Sequence, residues 1–124
     1  MKSFKIFSFA LLALLFSLSG CKEEGIGGNA EVAFTVEHHE DMIPYATVYI
    51  KYGAKEFPGA TTSVYDDSVL TDATSHGHFH ELVKGDYYLY GVGYDSAVSE
   101  IVKGGIGISL DAKDALETTV PVTE

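Results

Sequence analysis

Residues 82–94 constrain the fold more than any other stretch of the chain. Lys84-Gly85-Asp86 is a turn sequence, and the run after it is rich in Tyr, Leu and Val, which favour strands over helices. Alternate side chains of a strand share a face. One face would carry Tyr87 and Leu89, and the other Tyr88, Tyr90, Val92 and Tyr94. Because both faces are apolar, we predict a central strand between a core and an aromatic layer.

The same period of two recurs along most of the chain. Apolar side chains alternate with polar ones in residues 32–36, 46–50 and 116–122, and weaker strand signals cover residues 63–70, 77–82 and 98–110. Only residues 111–116 suit even one helical turn. About seven short strands at this spacing are typical of an all-β antiparallel sandwich.

The spacing of several glycine and apolar residues resembles that of a known family. The pattern consists of Pro44-x-Ala46-x-Val48, Thr71-Asp72 and Gly77-x-Phe79-x-x-Leu82-x-x-Gly85-x-Tyr87. It is similar to the transthyretin-like (prealbumin-like), carboxypeptidase regulatory-like family over residues 31–124, although Tyr45 stands where that family commonly has glycine. The resemblance implies a single Greek-key β-sandwich of about seven strands. It also implies a non-catalytic spacer, scaffold or binding module of the kind found in bacterial surface proteins.

The first 20 residues read as an export signal rather than as part of the fold. Lys2 and Lys5 precede an apolar run at residues 6–16 that is short for a membrane span, and Leu18-Ser19-Gly20 leads to Cys21. This ending resembles the bacterial lipobox, in which the cysteine is acylated and becomes the mature N-terminus. The alternative is an ordinary secretory signal beside an incidental cysteine. We predict lipidation of Cys21 and anchoring in the membrane through its acyl chains.

Lys22-Glu23-Glu24 directly follows the predicted lipid site. It is similar to a signal that sends lipoproteins of some Gram-negative bacteria to the cell surface, and the alternative is a solvated tether. Three glycines in residues 25–29 indicate a flexible linker. We therefore predict a signal peptide at residues 1–20, a lipidated tether at 21–29 and one domain at 30–124. The predicted location is the outer membrane, with the domain exposed at the cell surface or facing the periplasm.

The charge of the chain excludes one class of partner. Without the two lysines of the signal, six of the eight lysines remain against 18 acids, which takes the formal net charge from −10 to −12. The sequence contains no arginine. Nucleic acids and anionic lipid headgroups require basic patches, so we predict no nucleic-acid partner. The predicted partners are the membrane, through the lipid anchor, and another protein.

Three of the five histidines fall in His76-Gly77-His78-Phe79-His80. On a strand they share one face at intervals of about 6.5–7 Å, and imidazole is a good ligand for zinc, copper or nickel. His38 and His39 would add ligands only if their loop folded toward this strand. The alternatives are a metal site at His76, His78 and His80 and a solvated polar face. Apart from a possible zinc or copper ion, the sequence predicts no cofactor.

The tyrosines and the glycines suggest further sites. Exposed Tyr49, Tyr88, Tyr90 and Tyr94 would line a sugar- or partner-binding face, or simply form cross-strand pairs. Gly104-Gly105-Ile106-Gly107 lacks the Lys-Ser/Thr pair and the helix of a phosphate loop, so we interpret it as a hairpin or bulge. Gly91 and Gly93 likewise suggest a bend or bulge.

No local signature of a nucleophilic or carboxylate active site occurs, and we predict no enzymatic activity. The predicted function is a non-catalytic binding or assembly module, and the alternative is a small metal-binding lipoprotein.

Overall fold

A computed structural model describes residues 23–124 of the chain. The predicted signal peptide and Cys21 lie outside the described residues. The eight strands are β1 (Ile26–His38), β2 (Asp41–Met42), β3 (Thr47–Tyr52), β4 (Asp67–Leu70), β5 (His76–Leu82), β6 (Gly85–Asp95), β7 (Glu100–Leu110) and β8 (Ala115–Pro121). One 3₁₀ turn spans Thr62–Val64. The all-β class is confirmed, with one strand more than expected because β2 is a two-residue pairing. Within residues 23–124, no helix has the length and apolar character needed to span a membrane.

The strands form two four-stranded sheets. In the first sheet, β1 is central and pairs with β2 and β5 antiparallel and with β8 parallel. In the second sheet, the order is β4-β3-β6-β7, and all pairs are antiparallel. A two-residue bridge between Lys103 and Thr123 connects β7 to the end of β8. The expected purely antiparallel arrangement is therefore wrong for the β1–β8 pair.

The core lies between the two sheets. Val32, Phe34 and Val36 of β1 are buried against Val48, Ile50 and Leu89 of the second sheet, within one continuous cluster of apolar side chains. Each fully buried apolar side chain contributes about 1.5–3 kcal/mol relative to an exposed one. The prediction for residues 82–94 is confirmed, because β6 is central in its sheet and both Tyr87 and Leu89 are fully buried.

A loop covers much of the outer face of the second sheet. Residues 53–66 place Phe57 over Tyr88 and Tyr90, with ring centroids 5.9 and 5.4 Å apart, and Tyr65 stacks on Tyr90 at 5.5 Å. Tyr88 and Tyr90 are consequently buried, whereas Tyr94, beyond the loop, is 54% exposed. The expected exposed tyrosine face is therefore wrong for these two residues, because an aromatic layer from the same chain covers them.

The strand glycines make room for neighbouring atoms rather than forming bends. Pairing of β6 with β7 stays in register through Gly91 and Gly93, and β7 continues through Gly104, Gly105 and Gly107. A Cβ at Gly93 would lie 2.7 Å from Ile43 Cγ2, and one at Gly91 would lie 3.1 Å from Val120 Cγ1. The expected bulges and hairpin are wrong, because small residues are required where other side chains approach the sheet.

The segment expected to be a flexible linker is part of the fold. Ile26 begins β1 and pairs with Leu82, and the Val83 amide donates a hydrogen bond of 2.8 Å to the carbonyl of Gly25. The hydroxyl of Tyr87 donates to the Val83 carbonyl at 2.6 Å and accepts from the Gly25 amide at 3.0 Å. The linker prediction is thus wrong for residues 25–29, because backbone pairing and the buried Tyr87 hydroxyl hold this segment in place.

Candidate functional site

The three histidines singled out in the sequence all lie on β5 and are exposed. The rings of His78 and His80 are 4.0 Å apart between centroids, and His80 Nδ1 lies 3.0 Å from Glu31 Oε2. His76 Nδ1 instead lies 3.0 Å from the hydroxyl of Thr74. The structure therefore brings His78 and His80 together, whereas His76, the first residue of β5, contacts the turn that precedes the strand.

A different set of possible ligands converges at the end of β1. Within residues 23–124, one group of three or more His, Cys, Asp and Glu side chains has all its ligand atoms within 4.8 Å of one another. It consists of His38, His39 and Glu124. The predicted set on β5 does not meet this geometric test in the described conformation.

His38 is positioned by the second sheet. It is the last residue of β1 and is 1% exposed, and its Nδ1 lies 2.7 Å from Oδ2 of Asp95, the last residue of β6. The other oxygen of Asp95 accepts the backbone N–H of Ala97 at 2.9 Å. Both carboxylate oxygens are thus used, so the ring of His38 is held in one orientation.

The second nitrogen of His38 faces the other two members of the group. His38 Nε2 lies 3.0 Å from Glu124 Oε1, which is ion-pair distance. This nitrogen has almost no accessible surface and no hydrogen bond of suitable geometry. His39 Nε2 lies 3.4 Å from the same oxygen. Glu124 is brought here by the Thr123–Lys103 bridge and by the Val122 amide, which donates to the Glu37 carbonyl.

The turn that carries His39 has an unusual backbone. His38 pairs with Asp41 across a two-residue hairpin connection, and the two connecting residues have positive φ values of 51° for His39 and 70° for Glu40. Such turns normally use Gly or Asn, because a positive φ is strained for most residues with a Cβ, although Asn, Asp and His tolerate it better than others. The turn places the His39 ring 4.0 Å from that of His38.

The charges around His38 change its protonation. The hydrogen bond and charge of Asp95 raise the pKa of His38 above its ordinary value, with a smaller contribution from Glu124, and they outweigh the opposing effect of burial. The same hydrogen bond lowers the pKa of Asp95. The two shifts favour the charged forms of both His38 and Asp95. The negative charges of Asp95 and Glu124, which stabilise a proton on His38, would also attract another cation.

The arrangement has the chemistry of a cation site. A carboxylate orients the ring of His38, and the second ring nitrogen faces another carboxylate and a second imidazole. Sequence reasoning noted His38 and His39 only as additional ligands for β5. It missed Asp95 and Glu124, for which the local sequence carries no signal.

Comparison with known proteins gives no family for this chain: no family model matches it, and neither does any curated protein.

Proposed function

We propose that this protein is a lipid-anchored, non-catalytic binding module of the outer membrane that docks a partner protein at the end farthest from its anchor. The observation that carries this proposal is the distribution of exposed apolar side chains. Of the nine large exposed apolar side chains in residues 23–124, five lie at the end of the sandwich that also holds His38. This distal apolar surface consists of Met42, Tyr45, Tyr94, Val98 and Ile101, which are between 47% and 63% exposed.

The position of the chain start supports this orientation. Gly25 is already hydrogen-bonded to the fold, so only residues 22–24 would separate a lipid on Cys21 from the domain. β1 then runs over 13 residues to His38, which is roughly 40 Å at the usual rise of a strand. A domain anchored at Cys21 would stand close to the membrane and direct the distal apolar surface away from it.

The strand order supports the transthyretin-like assignment. The order β5-β1-β8, with a parallel β1–β8 pair, faces β4-β3-β6-β7, and the chain crosses between the two sheets, as a Greek-key sandwich would require. Tyr45, where the family commonly has glycine, has a φ of 55°, in the left-handed region that glycine favours. The family assignment would make a scaffold or binding role the ordinary one for this domain.

The charges around the distal apolar surface indicate the kind of partner. Exposed acids border it, namely Glu40, Asp41, Glu100 and Glu124. Exposed apolar patches of soluble proteins commonly mark interaction sites, and a charged rim steers association toward a complementary surface. The expected partner is a protein whose apolar contact patch is bordered by lysine or arginine.

A photoreactive residue at Val98 should form adducts with this partner in intact cells. Changing Tyr94 and Ile101 to serine should abolish the adducts while altering the free energy of unfolding by no more than about 1 kcal/mol, because both side chains are exposed. A photoreactive residue at Ala112, beside Gly27 and Gly85 near the anchor end, is the matched control and should give no such adduct. Adducts that persist in the serine variant, or equal labelling from Ala112, would contradict the proposal.

Changing Cys21 to alanine should leave the protein unprocessed or released from the membrane, because the acyl chains would be its strong membrane contact. Fractionation of cells measures this directly. A processed Cys21→Ala protein in the outer-membrane fraction would show the lipid anchor to be wrong.

Changing Lys22-Glu23-Glu24 to alanines should keep the protein lipidated but make it inaccessible to protease added outside the cells.

A further inference from the structure

We propose that His38, His39 and Glu124 bind a transition-metal ion of the zinc or copper class, with Asp95 as the residue that orients His38. This site differs from the one predicted on β5. It also goes beyond the proposed binding role, because it requires neither a lipid anchor nor a partner protein.

The distances between the ligand atoms suit a single ion. In a tetrahedral zinc site with ligand bonds of 2.0–2.2 Å, neighbouring ligand atoms are about 3.4 Å apart. Glu124 Oε1 lies 3.0 Å from His38 Nε2 and 3.4 Å from His39 Nε2, and no pair of ligand atoms exceeds 4.8 Å. His39 and Glu124 are exposed, so small changes of side-chain torsion would complete the geometry at little cost to packing.

The strongest indication of a ligand is the nitrogen of His38 that lacks a hydrogen bond. Buried polar atoms almost always form a hydrogen bond, and His38 Nε2 is one of two buried side-chain polar atoms in residues 23–124 without an aligned one, although Glu124 Oε1 lies 3.0 Å away. It points toward the group formed by His39 and Glu124. A metal ion bound between these three side chains would take the Nε2 lone pair of the neutral ring, in place of the proton that Nε2 carries in the charged form.

Asp95 gives His38 the orientation that a metal ligand needs. Metal-binding histidines usually donate their second ring N–H to a carboxylate or carbonyl, which fixes the tautomer and strengthens the ligand. His38 Nδ1 lies 2.7 Å from Asp95 Oδ2, and Asp95 is itself buried and held by the Ala97 amide. This contact leaves Nε2 as the nitrogen available for the ion.

The donor set selects the class of metal. Two imidazoles and one carboxylate suit zinc, copper or nickel, whereas calcium and magnesium prefer oxygen ligands throughout. Three protein ligands leave one position of a tetrahedral site for water or for an external ligand. The formal charge of −10 over the chain raises the local concentration of any cation.

Zinc binding to the full-length, metal-free protein purified in detergent tests the proposal. Calorimetric titration should give one ion per chain, and saturating zinc should raise the melting temperature. His39→Ala and Glu124→Ala should each weaken zinc binding at least tenfold. Because both side chains are exposed, neither change should alter the melting temperature of the metal-free protein. Asp95→Asn should weaken binding by about 10–100-fold, as loss of an orienting carboxylate does in other sites.

The matched control is the double variant His78→Ala, His80→Ala, which should keep the wild-type affinity. With cobalt in place of zinc, the wild type and this control should show the intense visible absorption of a four-coordinate ion, and Glu124→Ala should not. An unchanged melting temperature in saturating zinc would overturn the proposal. So would full affinity in His39→Ala and Glu124→Ala, or loss of affinity in the β5 double variant, which would assign the ion to the predicted histidines instead.

Discussion

Replacing Leu89 by alanine is expected to lower the free energy of unfolding by about 2–5 kcal/mol. Leu89 is fully buried in the central strand of the second sheet, between Ile50 on β3 and Ile106 on β7. Truncation removes buried methyl groups and leaves a cavity that the surrounding strands cannot close without breaking their register. A domain of this size has a total stability of about 5–15 kcal/mol, so one substitution would remove a large share of it.

Chemical denaturation followed by tyrosine fluorescence measures this effect, since the chain contains no tryptophan. The control is Ile101→Ala on the outer face of β7, where the side chain is 60% exposed and the expected change is within about 0.5 kcal/mol. A cost below about 0.5 kcal/mol for Leu89→Ala would mean that the buried and outer faces of β6 are reversed.

The strands could be predicted because their signal is local. Alternation of apolar and polar residues locates β1, β3 and β8, and the two apolar faces of β6 require cover on both sides. The sequence could not indicate what provides that cover. The aromatic layer depends on how residues 53–66 return over Tyr88 and Tyr90, and this segment lacks a strand period.

The parallel pairing of β1 with β8 could not be predicted either, because a local pattern does not show which strands pair. These strands are far apart in sequence, and the period of two is identical for parallel and antiparallel neighbours. The inclusion of residues 26–29 in β1 could not be predicted either. Glycines at residues 25–28 read as a linker, but the hydroxyl that holds Gly25 belongs to Tyr87, 62 residues later.

The candidate site shows this limit most clearly. Three histidines at alternate positions on β5 are conspicuous in the sequence, yet they share only a strand face. His38 and His39 are neighbours in the sequence, but the site that they form also needs Asp95 and Glu124. Asp95 is 57 residues from His38, and Glu124 is 85 residues from His39. Convergence of side chains from two strand ends, a turn and the residues after β8 is a property of the fold, and no spacing rule reveals it.

The glycines of β7 lead to the second prediction of large effect. Gly105 and Gly107 lie on the outer face of the strand, where other sheet positions carry side chains. A Cβ at Gly105 would contact the carbonyl oxygen of Leu89 and lie 2.6 Å from Cε1 of Tyr88. One at Gly107 would contact the carbonyl oxygen of Lys55 in the covering loop. The absence of a side chain therefore allows the aromatic layer to pack directly on the strand.

Gly105→Ala is accordingly expected to destabilise the protein by about 1–3 kcal/mol, as overpacking of a filled site does. Intrinsic propensity alone predicts the opposite sign, since replacing glycine by alanine at an unstrained position stabilises by about 0.4–1 kcal/mol. Denaturation measures the free energy, and near-ultraviolet circular dichroism should report displacement of the Tyr88 ring. Lys103→Ala, on the same face of the same strand but exposed, is the control and should change stability by no more than about 0.5 kcal/mol. Stabilisation of Gly105→Ala would show that the layer over Tyr88 is loose enough to admit a methyl group, and that glycine is not required there by packing.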